Sequence, residues 1–202
     1  MQRFMVTLFV LLCLTQTTQA QELHLLFVRH GEKPKTGLGQ LDCQGWQRAL
    51  RLGDVLIPLR GRPTVLYAPN PGIYKNDQGI AYAYIRPLAT LEPSAIRLGL
   101  PVQLGFGYTD VDKLANALLA LPDHSVAWIA WEHHQLVTIE RTLLHNVNNP
   151  VIIPDWDSRD FDRVDILDLV EHDGHWTVHY HRTGEFLNQL PSTCSLDLHH
   201  HD

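Results

Sequence analysis

Leu23-His24-Leu25-Leu26-Phe27-Val28-Arg29-His30-Gly31-Glu32 is an apolar run that ends abruptly in a cation, an imidazole, a glycine and a carboxylate. Leu23–Val28 suits a central strand buried on both faces. Working outward, apolar runs and helical patterns alternate. Asp42 to about Leu56 carries Trp46, Ala49, Leu50, Leu52 and Leu56 at helical spacing, and Pro58 is expected to stop that helix. Thr64–Tyr67 and Ser125–Trp131 read as further strands. Pro87–Leu98, Asp110–Leu121 and Gln135–Leu144 read as helices, the first closed by Gly99. Val164–Val170 and Trp176–Tyr180 flank Asp173-Gly174, a hairpin signal. Alternating strands and helices predict an α/β three-layer sandwich, with a mostly parallel central sheet flanked by helices and an antiparallel edge hairpin near the C-terminus.

The 202 residues carry 16 Lys+Arg against 22 Asp+Glu, a formal net charge of −6, with 13 His, 3 Cys and 45% hydrophobic residues. That length and apolar fraction are enough for a packed core and exclude a disordered tail or a disulfide-dense miniprotein. The acidic balance, with no Lys/Arg block, argues against nucleic acid as a partner. Residues 1–20 read as a signal peptide: Arg3, an apolar run from Met5 to Leu14, and Thr18-Gln19-Ala20. The run is shorter than the roughly 20 apolar residues of a spanning helix, so no membrane span is expected and the product is placed in the periplasm or outside the cell. Cleavage leaves residues 21–202 as a single domain of net charge −7, with a His-rich tail from about 195 to 202. Cys43 and Cys194 remain, and their spacing leaves both a disulfide and a buried, unpaired Cys43 open.

In parallel α/β sheets ligands gather at the carboxyl ends of strands. The first strand delivers Arg29 and His30 there, and the strand Ser125–Trp131 delivers Glu132, His133 and His134. Arg86 opens a helix from the same side, where the helix dipole already favours an anion. Two arginines and two histidines around one point suit a phosphoryl group, which asks for donors to its equatorial oxygens and an in-line nitrogen.

On these residues the chain resembles the histidine phosphatase superfamily, the phosphoglycerate-mutase-like fold. Four ordered segments carry the resemblance, which is to an exported member of a Trp-Glu-His subgroup: Arg29-His30-Gly31-Glu32; Leu41 to Ala49 with its Gly45 and Arg48-Ala49; Arg86 and Thr90 followed by Leu98-Gly99-Leu100-Pro101; and Val126–His133, ending in Trp-Glu-His. The resemblance implies a phosphatase that hydrolyses phosphomonoesters through a phosphohistidine on His30. Arg29, Arg86 and His133 would bind the substrate's phosphoryl oxygens, with no metal and no cofactor. The general acid stays open. Glu132 and His134 are the nearest proton-donor candidates, ahead of Glu92, Asp110 and Glu140, and Glu132 reads equally well as a carboxylate orienting His133.

Asn70–Ile85, with Tyr74, Tyr82 and Tyr84, departs from compact members of the family as an insertion, read either as a lid or as a surface excursion. Lys33 and Lys35 are expected to be solvated loop charges. The substrate is a phosphorylated small molecule or an envelope-associated phosphate; oligomeric state has no signal. Two other functions compete. Seven of the 13 histidines lie beyond residue 170 (His172, His175, His179, His181 and His199–His201), a pattern open to metal binding. An inactive member that binds phosphorylated ligands is the other, although it would have no reason to keep His30.

Overall fold

The computed structural model describes residues 20–194. Residues 1–19 of the expected signal peptide and the His-rich tail from 195 lie outside the described residues. The elements in order are β1 (Gln21–Arg29), α1 (Cys43–Arg60), β2 (Val65–Tyr67), β3 (Tyr74–Asp77), β4 (Ile80–Ala83), α2 (Arg86–Leu98), β5 (Val102–Gln103), α3 (Val111–Leu119), β6 (Ser125–Trp131), α4 (His133–Asn146), β7 (Arg163–His172) and β8 (His175–Gly184). Six strands form one sheet in the order β5-β2-β6-β1-β7-β8. β1, β6, β2 and β5 run parallel, and the β7–β8 hairpin adds an antiparallel edge. Asp173 and Gly174 turn that hairpin with φ of 51° and 80°, the left-handed pair that a two-residue turn requires.

The central strands are apolar throughout because both faces are covered. Leu25 and Phe27 join Ile129, Leu114, Leu136 and Ile139 under α3 and α4. Leu26 and Val28 join Trp128, Leu52, Leu56 and Leu91 under α1 and α2. The expected three-layer α/β sandwich is thus the observed one. No helix among the described residues is long and apolar enough to cross a membrane.

Two expectations about α1 are corrected. Pro58 lies inside the helix, which runs to Arg60 and closes where the Gly61 N–H donates to the Ile57 carbonyl. A proline in the last turn forfeits only its own N–H bond, so the turn survives. The buried face is also rotated from the predicted one: Trp46 and Leu50 are exposed, and Arg48, Leu52 and Leu56, spaced by four, point inward. Sequence reasoning ranked residues by apolarity and so missed a buried arginine.

Cys43, at the start of α1, forms a disulfide with Cys194, 151 residues later, with Cα atoms 5.2 Å apart. Closing so long a loop removes unfolded-state entropy equivalent to about 5 kcal/mol in a chain-entropy account.

Candidate active site

The site grows from the pairing of β1 with β6. Arg29 stands opposite Trp131 in parallel register, and the His30 N–H donates 3.0 Å to the Trp131 carbonyl. The residues that follow on the two strands, His30 and Glu132-His133, therefore emerge side by side. Gly31 then crosses Gly45 of α1 so closely that a Cβ on Gly31 would come within 2.9 Å of the Gly45 backbone, an approach only a glycine pair allows. The Gly31 N–H donates to Thr90 Oγ1 (3.0 Å), whose own hydroxyl donates to the Arg86 carbonyl (2.9 Å), locking the start of α2 to the His30 loop. Glu32 is held by Arg48 through two bonds of 2.6 and 2.9 Å.

Arg29, His30, Arg86 and His133 are each at most 6% exposed. Burial, reinforced by the charges of Arg86 and Arg29, pushes the His30 imidazole well below its usual 6.5. His30 Nδ1 lies 2.8 Å from the Gly31 carbonyl. Nδ1 is therefore assigned the proton, and Nε2 keeps its lone pair. Burial also lowers Arg29, to about 10, so it stays cationic at neutral pH. Its Nη1 donates to the carbonyls of Ser158 (2.6 Å) and Asp160 (3.2 Å), and its plane stacks 3.7 Å from the Phe161 ring centroid.

Glu132 is the N-cap of α4, accepting from the N–H groups of His134 and Gln135, and its Oε1 stands 2.7 Å from His133 Nδ1. Burial works to raise its pKa, yet these bonds and the charge of Lys75 outweigh it and hold the carboxyl down to about 2. Among the other donor candidates, His134 is exposed with its ring 4.0 Å from that of His133. Asp110 is occupied by Lys113 and the Gly107 N–H, and Glu140 is fully buried beside Asp165. Glu92 is turned away, beside Leu88, Ala95 and Leu100.

The 70–85 segment is an antiparallel pair, β3–β4, applied directly to the site. Asp77 accepts from Arg86 Nη1 at 2.5 Å and from Lys33 Nζ at 2.8 Å. Lys33 is thus half-buried and paired, against the expectation of a solvated charge; Lys35 is exposed as expected. Lys75 donates to the Tyr108 hydroxyl (2.9 Å), which donates to Glu132 Oε2 (3.2 Å). The ring of Tyr84 stands edge-on to His30, centroids 5.9 Å apart.

No family profile matches the sequence, and no curated protein matches it. A solved structure does: a protein histidine phosphatase SixA complexed with tungstate matches over 80% of this chain and 97% of its own, with a TM-score of 0.52 at 13% identity. The chain shares the fold of that histidine phosphatase. A phosphoserine phosphatase from Entamoeba histolytica, solved with phosphoserine, is also similar, with 82% and 98% of the two chains covered, a TM-score of 0.44 and 12% identity.

Within this histidine phosphatase fold, sequence reasoning missed Asp77, Tyr84, Tyr108 and Phe161. Each reaches the site from a loop or hairpin whose path no spacing rule gives; the tyrosines of the insertion were the available signal. The histidines of β7–β8 are exposed. Among the described residues none of them joins a three-ligand cluster; the one such group is Glu132, His133 and His134.

Proposed function

We propose that this protein is a phosphatase that hydrolyses phosphomonoesters through a phosphohistidine on His30. The observation that carries the reading is the neutral, buried imidazole with Nε2 free, set between two buried arginines. Nε2 attacks phosphorus as the ester oxygen leaves, and water then cleaves the P–N bond. Arg29, Arg86 and His133 take the phosphoryl oxygens, so the rate comes from positioning and preorganised charge. Glu132 orients His133: a carboxyl at about 2 is ionised at neutral pH and has no proton to give. The leader sequence and the Cys43–Cys194 disulfide support a periplasmic or secreted location, where disulfides persist.

The test is an aryl phosphate assay on the purified protein with alkaline quenching. A phosphoenzyme that is acid-labile and stable to base is expected; turnover without one contradicts the reading. Glu132→Gln is expected to lower turnover by roughly 10- to 100-fold, and by the same factor on good and poor leaving groups. A loss confined to poor leaving groups would instead make Glu132 the acid.

The protonation state has its own readout. Ring ¹⁵N shifts should show His30 titrating well below 6.5, and an inflection at or above that value contradicts the site as described. Because the unfolded chain takes up this proton first, His30 also lowers stability as pH falls from 6.5 toward its depressed folded value.

A further inference from the structure

Expelling an alkyl oxygen requires a proton, and Glu132, Asp77 and Glu32, carboxylates of the site and its supports, are committed elsewhere. Glu132 is ionised against His133 and the start of α4, Asp77 lies between Lys33 and Arg86, and Glu32 is gripped by Arg48. We infer that Tyr84, at the foot of the β3–β4 hairpin, is the catalytic residue that delivers this proton; the inference rests on the phosphatase reading and assigns the acid within the same site.

Tyr84 is 1% exposed, and its hydroxyl has no hydrogen-bond partner among the described residues. An unpaired buried hydroxyl costs about 1–3 kcal/mol and is rare away from functional sites. Here it stands among the groups already placed. The ring meets His30 edge-on at 87°, Arg86 lies 4.9 Å and Lys75 5.0 Å from its centroid, and the Tyr108 ring packs against it at 5.4 Å. Arg86, Glu132 and Arg29 are all near enough to act on the charge of its oxygen, so the phenol shares the electrostatic field of the phosphoryl-binding groups. Burial pushes the phenol well above its usual 10, so it holds its proton at neutral pH, while the neighbouring Arg86 favours the phenolate as it forms.

The step balances in two halves. As His30 Nε2 bonds to phosphorus, the P–O ester bond breaks and the departing oxygen takes the Tyr84 proton, leaving as a neutral alcohol. The phenolate then takes a proton from the water that attacks the phosphohistidine. The P–N bond breaks, its electron pair returns to Nε2, inorganic phosphate is released, and the Tyr84 phenol is regenerated.

Two substrates separate this role from a structural one: p-nitrophenyl phosphate, whose leaving group needs no proton, and glycerol phosphate, whose leaving group does. Tyr84→Phe is expected to lower kcat/KM on glycerol phosphate by about 10²-fold or more while holding p-nitrophenyl phosphate within about threefold. An equal loss on both substrates, or no loss on glycerol phosphate, overturns the assignment. Should the variant fail to fold, aryl phosphates of graded phenol pKa on the wild-type chain decide instead. A shallow dependence supports the proton donor, and a steep one overturns it. A wild-type chain with no turnover on either substrate fails earlier, at the phosphatase reading, and takes this assignment with it.

Discussion

His30→Ala is expected to abolish phosphomonoester hydrolysis, lowering kcat by on the order of 10⁴-fold or more, and to eliminate the acid-labile phosphoenzyme. No neighbouring group can replace the nucleophile. Glu132 is anchored as a helix cap, and the Gly31–Gly45 crossing prevents the loop from moving another side chain into line. The fold should tolerate the change, because the strand end is held by backbone bonds to Trp131 and Thr90 that do not involve the ring. Removing a ring packed against Tyr84 and Phe161 leaves a cavity, for which a Tm loss of only a few degrees is expected. Retained turnover in a folded His30→Ala protein would refute the mechanism, and binding of a phosphate analogue by that variant would show that the arginines still work without it.

Arg48→Met is expected to cost about 3–5 kcal/mol of stability, measurable by urea unfolding. Arg48 is wholly buried and donates to Glu32, to Glu185 at 2.7 Å, to Asp162 at 3.3 Å and to Asn188 at 3.1 Å. Its loss strands Glu185, which is itself buried and which burial already pushes up to about 8 against the pull of Arg48. Without Arg48 that carboxyl rises further and stays protonated when folded. The folded state then binds the extra proton, so the variant's stability should decline as pH rises from about 4.5 through neutrality. Arg48→Met with Glu185→Leu should recover a large part of the loss, since an apolar pair suits the cavity better than one orphaned charge. A single variant within about 1 kcal/mol of wild type would mean that the cluster contributes little. Activity should fall too, because Glu32, two residues beyond the nucleophile, loses its anchor.

The sheet and the gathering of Arg29, His30 and His133 at its edge were legible because both depend on local signals. Leu23–Val28 is apolar on both faces, and Arg29-His30-Gly31 follows it without a break, so strand and site are read together. Ser125–Trp131 announces His133 in the same way. The two-residue turn at Asp173-Gly174 located the edge hairpin, though β7 and β8 extend two and four residues beyond their predicted C-terminal ends, since pairing with a neighbour continues where apolar alternation fades. What stayed hidden is non-local. The burial of Arg48 could not be read because its partners Asp162 and Glu185 lie 114 and 137 residues away. Asp77 and Tyr84 sat in a stretch whose polarity reads as loop, and only the fold lays that stretch across Arg86. The proton donor stayed open because sequence adjacency nominated Glu132 and His134, whereas hydrogen bonding sets protonation.

The disulfide has a consequence for how the protein is made. Cys43 leaves the ribosome early and its partner is 151 residues behind, so the cross-link waits for nearly the whole chain. Until then α1, which carries Gly45 and Arg48 into the nucleophile loop, depends on noncovalent contacts alone. Truncation before residue 194 would therefore leave Cys43 available to foreign thiols, and a thiol-reactive label would count unfinished molecules.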